Sequence, residues 1–135
     1  MKLLLSNNRL TRFSNEGNYA TVTDVPLQDD IALVAQNLLA WLNSQLGEAE
    51  SVNQVFLEPD GQAVTTYETQ LDLEGNEMEV PAGYRPRLNA SVTVDHSSGS
   101  RTFAVSSEAL PSEMRDSILS AWEMVREFRA EEGTT

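Results

Sequence analysis

The clearest pattern in the chain is a period of two. Leu88, Ala90, Val92 and Val94 alternate with Asn89, Ser91, Thr93 and Asp95, which predicts a strand with one face in a core and the other in water. Ser97-Ser98-Gly99-Ser100 turns this strand back into residues 101–107, where Phe103 and Val105 face inward. Near the N-terminus, residues 2–5 and 9–13 read as extended. Ser14-Asn15-Glu16-Gly17-Asn18 is a turn cluster, and the β-branched run 19–25 is a strand. The segments on either side of that cluster form a hairpin. Residues 52–58 and 62–73 read as two strands around Glu58-Pro59-Asp60-Gly61, a turn in which Pro sets φ and Gly accepts a positive value. A looser stretch follows at 74–77 and 81–84, with a short strand between.

Two segments carry the helical period instead. Ile31, Val34, Leu38, Trp41, Leu42 and Leu46 predict a helix over 27–46, opened by Pro26 and by Asp29 and Asp30 at the positive end of its dipole. Gly47 is a fitting residue just past its end. Met114, Ile118, Trp122, Val125 and Phe128 predict a second helix over 111–130, with Pro111 and Glu113 at its start. The order is ββαβββ(β)βα. It predicts an α+β fold in a single domain spanning 1–135, with a mostly antiparallel sheet and two main helices on one face. Residues 131–135 read as a frayed tail.

The chain is long enough for its own core. Its 135 residues include no cysteine, so disulfides, thiol nucleophiles and thiolate metal sites are excluded. The apolar run Leu3-Leu4-Leu5 ends at Ser6-Asn7-Asn8-Arg9, too short for a secretion signal or a membrane span, and the expected location is the cytoplasm.

Charge changes the picture most. The formal net charge is −12. Residues 13–84 hold thirteen acids and no Lys or Arg, whereas residues 1–12 hold Lys2, Arg9 and Arg12 without an acid. Such a field disfavours nucleic acid and anionic membranes and attracts basic protein surfaces. Glu68 and Asp72, with Gln70 between them, would repeat along a strand at about 6.6–7 Å, an interval close to that of phosphates along a DNA strand.

Catalytic sets are scarce. His96 is the only histidine, and Asp95, Ser97 and Ser98 beside it read as hairpin-turn residues. A calcium loop counted from Asp72 needs Gly at its sixth position and Glu at its twelfth; Glu77 and Gly83 stand there. No Gly-rich phosphate loop occurs, and Lys2 is the sole lysine. Trp41 and Trp122 fall in the apolar stripes of the two helices, either as core or as lining, with Met, of a pocket against the sheet. Arg85 and Arg87, flanking Pro86, are expected to pair with carboxylates of the acidic run. Glu123 and Arg126 form an ordinary helix pair.

The expectation is a non-enzymatic binding protein without cofactor or metal. It would be an acidic inhibitor of anti-defence or nucleic-acid-mimic type, occupying a basic surface of a nuclease or other nucleic-acid-handling protein. Glu58, Asp60, Glu68, Asp72, Glu74, Glu77 and Glu79 would act there collectively. Two alternatives use other surfaces. A secretion-chaperone or immunity-type partner, expected to be a homodimer, would bind through an apolar face or strand edge. A small-ligand carrier would use a cavity between sheet and helices.

Overall fold

A computed structural model describes residues 1–16 and 19–129; the expected tail at 131–135 lies outside these. Strands β1 (Lys2–Ser6), β2 (Arg9–Glu16) and β3 (Tyr19–Val25) precede helix α1 (Asp29–Ser44). Strands β4 (Ser51–Leu71), β5 (Glu77–His96) and β6 (Gly99–Ser106), a single 3-10 turn (Ser107–Ala109) and helix α2 (Ser112–Glu127) follow. The six strands form one sheet in the order β3-β2-β1-β4-β5-β6, with every neighbouring pair antiparallel. The expected α+β class, with an antiparallel sheet and two helices on one face, is the observed one, but the expected order ββαβββ(β)βα becomes βββαβββα, because residues 2–5 and 9–13 are two separate strands and residues 51–71 are a single one.

The core follows from alternation. Leu3 and Leu5 in β1 stand opposite Leu57 and Val55 in β4, Val55 opposite Val92 in β5, and Val92 opposite Phe103 in β6. These side chains share one face, and Leu38 and Leu42 of α1 with Ile118, Trp122 and Val125 of α2 close over it. Val55, Val92 and Val94 are completely buried. Among the described residues no second layer covers the opposite face. That face carries Lys2, Thr11, Ser91 and Thr93, with Leu4, Phe13 and Phe56 half-buried among them. The Phe13 and Phe56 rings lie 6.3 Å apart, and the Lys2 ammonium sits 5.9 Å above Phe56, so polar and cationic neighbours shield that apolar strip.

Three expectations change. Ser14, Asn15 and Glu16 continue β2 rather than turning, which leaves the expected turn with Gly17 and Asn18, outside the described residues. Residues 52–58 and 62–73 do not pair with each other. Residues 52–58 and 62–71 belong to the single long strand β4 and both stretches pair with β5, while Asp72 and Leu73 lie past its end. The Glu58-Pro59-Asp60-Gly61 chemistry is present, but it makes a bulge: from Pro59 to Ala63 β4 advances four residues while β5 advances two, from Leu88 to Pro86. Gly61 supplies φ +83° and Asp60 Oδ1 accepts the Gln62 N–H at 2.9 Å. A bulge and a turn use the same local residues, and only pairing with a distant strand distinguishes them. The third change concerns residues 77–87, which are strand throughout; Pro81 and Pro86 are accommodated on an edge, with a second register shift next to Pro81.

The ends of β4 and β5 therefore run past the sheet. β1 pairs with β4 over Gln54–Leu57 and β6 pairs with β5 over Asn89–His96. Beyond them Ala63–Leu71 pairs only with Glu77–Pro86, and Asp72–Asn76 closes the tip. This arm projects without cover.

Stability should reside in the core and not in the arm. Leu42→Ala empties a fully buried site and is expected to lower unfolding free energy by about 2–5 kcal/mol. Leu73→Ala, at the exposed tip, should change it by less than about 0.5 kcal/mol. Urea titrations of both variants read the difference.

Candidate functional site

The arm gathers the chemistry that nothing in the fold consumes. Between Gln62 and Tyr84 it carries Glu68, Asp72, Glu74, Glu77 and Glu79 and no Lys or Arg. Tyr67, Leu71, Leu73, Met78 and Tyr84 are exposed along it. Register and alternation place Tyr67, Thr69 and Leu71 on one side of the ribbon with Glu77 and Glu79, and Glu68 and Gln70 on the other with Met78 and Val80. Acidic and apolar groups are interleaved on both sides.

The seven expected site residues separate into two groups. Three serve the architecture. Glu58 lies on the open sheet face and pairs with Lys2 at 3.4 Å. Asp60 joins Arg87 across the bulge. Its partial burial pushes its carboxyl up, but the Gln62 amide and the Arg87 guanidinium outweigh that, and it titrates below its ordinary value. Asp72 Oδ1 accepts the N–H groups of Asn76 at 2.8 Å and Glu74 at 2.9 Å. These bonds, that from Asn76 foremost, hold its carboxyl below the usual range. Asp72 thus lies past the end of β4 with its carboxylate turned onto the tip, so the expected row of strand carboxylates through Glu68 and Asp72 does not form. The other four, Glu68, Glu74, Glu77 and Glu79, stay exposed. Glu68 accepts only the Gln70 amide at 2.7 Å and Glu79 only the Thr69 hydroxyl at 2.9 Å; neither bond cancels a charge.

The root of the arm is tied down. Arg85 grips Glu108 with two hydrogen bonds of 2.6 Å, and this contact draws the Glu108 carboxyl below its ordinary value. Ser107 is almost fully buried and its hydroxyl accepts the Leu88 N–H at 3.0 Å. Arg87 pairs within the acidic run as expected, whereas the partner of Arg85 comes from the connection between β6 and α2, beyond that run. Arg12 was not singled out by the sequence. Its Nη1 donates to the Val125 and Phe128 carbonyls, each at 2.7 Å, capping the C-terminal end of α2 with a cation. No local signal marks that role, because the partner lies more than a hundred residues away.

Other candidate chemistry resolves into structure. Ser98 bonds His96 Nδ1 through its hydroxyl at 2.9 Å, while Asp95 turns to the Asn53 amide at 2.7 Å, so no triad converges. Among the described residues no group of three or more His, Asp or Glu side chains could hold a metal ion. Glu123 and Arg126 pair as expected. Trp122 is core and Trp41 half-buried. Beneath the helices Trp122, Leu38 and Ile118, among others, line an apolar void of about 50 Å³ that includes neither Trp41 nor any Met. That is far below the roughly 300–1,000 Å³ of small-molecule sites.

Depressed carboxyls stabilise the fold above their unfolded values, and that stability is lost as pH falls through the lower folded ones. The urea midpoint should therefore be level near neutrality and decline below about pH 4. Glu108→Gln should start lower at neutral pH and decline less on acidification. No helix of the described residues is long and apolar enough to cross a membrane. No protein-family model matches the chain, and neither a curated protein nor a solved structure similar to it was found.

Proposed function

We propose that this is a non-enzymatic binding protein whose β4–β5 arm occupies a basic surface of a partner protein, of the kind found on nucleases and other nucleic-acid-handling proteins. The observation that carries the reading is the state of the four exposed arm carboxylates. Elsewhere in residues 13–84 four acids are paired with cations, Asp24 with Arg9, Glu50 with Arg101, Glu58 with Lys2 and Asp60 with Arg87, while Asp29 and Asp30 sit in the first turn of α1 and Glu48 is exposed. On the arm no cation comes near. Uncompensated charge on a projecting element steers it toward an opposite potential.

The arm acts as an inhibitor by occupancy. It would cover a surface that a polyanion otherwise uses, without imitating the phosphate spacing of a strand. The exposed Tyr67, Leu71 and Tyr84 supply the apolar anchors that bury on contact, since aromatic residues ringed by polar ones carry most of the affinity of such interfaces.

The test is capture of partners by the tagged chain from native lysate, eluted over a salt gradient and identified by mass spectrometry. A stoichiometric basic partner should be released as salt rises from about 0.05 to 0.5 M, because screening shortens to a few ångströms over that range. The fourfold variant Glu68→Gln, Glu74→Gln, Glu77→Gln and Glu79→Gln should keep the stability of the parent and lose that partner. Retention by the variant, or affinity level across the salt range, would overturn the electrostatic reading.

A further inference from the structure

We propose that the arm is also a self-association element, in which the outer edge of β4 pairs antiparallel with the same edge of a second copy to make a four-stranded ribbon. The inference rests on the backbone and not on the acidic side chains, so it stands apart from the proposed function.

The two edges of the arm are treated differently. On β5 the outer edge carries Pro81 and Pro86, which lack an N–H, and the Leu88 N–H is taken by Ser107; this edge is protected against pairing. On β4 the outer edge from Ala63 to Leu71 has no proline and four β-branched residues, and the register shift between Thr66 and Tyr67 places its extra residue, Ala82, on β5. β1 covers β4 only as far as Leu57, which leaves this segment open. A two-stranded ribbon is marginal in water, and further strands make it stable.

The segment also fits itself. Antiparallel pairing of identical strands has a two-fold axis, and the axis that uses all nine residues passes through Tyr67. Ala63 then faces Leu71, and Thr65 faces Thr69, on the side where the two Tyr67 rings meet. On the other side Val64 faces Gln70 and Thr66 faces Glu68. The single acid of the segment meets a threonine, and like charges are never directly opposed. Moving the axis one residue to Glu68 would set that carboxylate against its own copy.

The chain contains no cysteine, so Tyr67→Cys places a lone thiol on the axis. It would face its copy at about 4.5–5.5 Å between Cα atoms, the spacing of directly opposed strand residues, which a disulfide spans. Under mild oxidation this variant should form a covalent dimer at least about tenfold faster than Leu73→Cys at the tip or Thr65→Cys off the axis, because pairing raises the effective thiol concentration. Sedimentation equilibrium of the unaltered chain at about 0.1 mM should give two chains, as a micromolar-class dissociation constant requires. Each copy carries −12, so added salt should tighten the dimer, the opposite of its effect on a basic partner. Thr66→Lys, which sets a cation against each Glu68, should tighten it more than Gln36→Lys on α1, which changes the net charge equally. A monomer at that concentration, or a Tyr67→Cys variant that links no faster than Leu73→Cys, would overturn the proposal. Neither result would touch partner capture by the arm carboxylates, and loss of that capture with the dimer intact would sink only the functional reading.

Discussion

The pairing of β4 with β5 is the interaction on which the rest of the molecule depends. Val55, Leu57, Leu88, Ala90, Val92 and Val94 come from these two strands and form the floor of the core. β1 attaches to one side of the pair and β6 to the other, and the helices seat on what the pair presents. The same pairing continues for nine further residues of β4 after its neighbours have ended. The sheet is thus widest where helices cover it and narrows to a ribbon where they do not. The bulge at Asp60–Gln62 marks that boundary, at the point where core-facing alternation is no longer required.

The charge of the chain divides along the same line. Within the body, three ion pairs each fix a junction: Arg85 with Glu108 at the root of the arm, Arg87 with Asp60 at the bulge, Arg101 with Glu50 near the start of β4. Arg12 differs in kind. It spends its charge on carbonyls at the end of α2 rather than on a carboxylate, so the N-terminal cationic stretch ends in a structural cap. On the arm, by contrast, the carboxylates outnumber every local donor. Of the net charge of −12, the ribbon from Gln62 to Tyr84 carries −5 with no cation in it, and the body carries −7 as sixteen acids against nine bases.

Much of this was legible without coordinates. Alternation at 88–95, the two helical stripes and the turn at 97–100 are local properties, and local physics decides them. The single-face packing of the helices followed from the one-sided pattern of the strands. The acidic stretch was visible as a tally of residues. Its division into architectural members, Glu58, Asp60 and Asp72, and exposed ones, Glu68, Glu74, Glu77 and Glu79, was not, since that depends on which cations and amides arrive from elsewhere.

By itself the sequence determined which residues prefer strand, helix or turn, and which side of each element seeks the core. Only the tertiary structure decided that Pro59-Asp60-Gly61 bends one strand instead of ending it, that residues 77–87 are strand despite two prolines, and that Arg12 reaches the far end of α2. The reason is common to all three. Conformational preference is set within a few residues, but whether a backbone group needs a partner is settled by the strand or helix that comes to lie beside it, and here those partners stand tens of residues away or more.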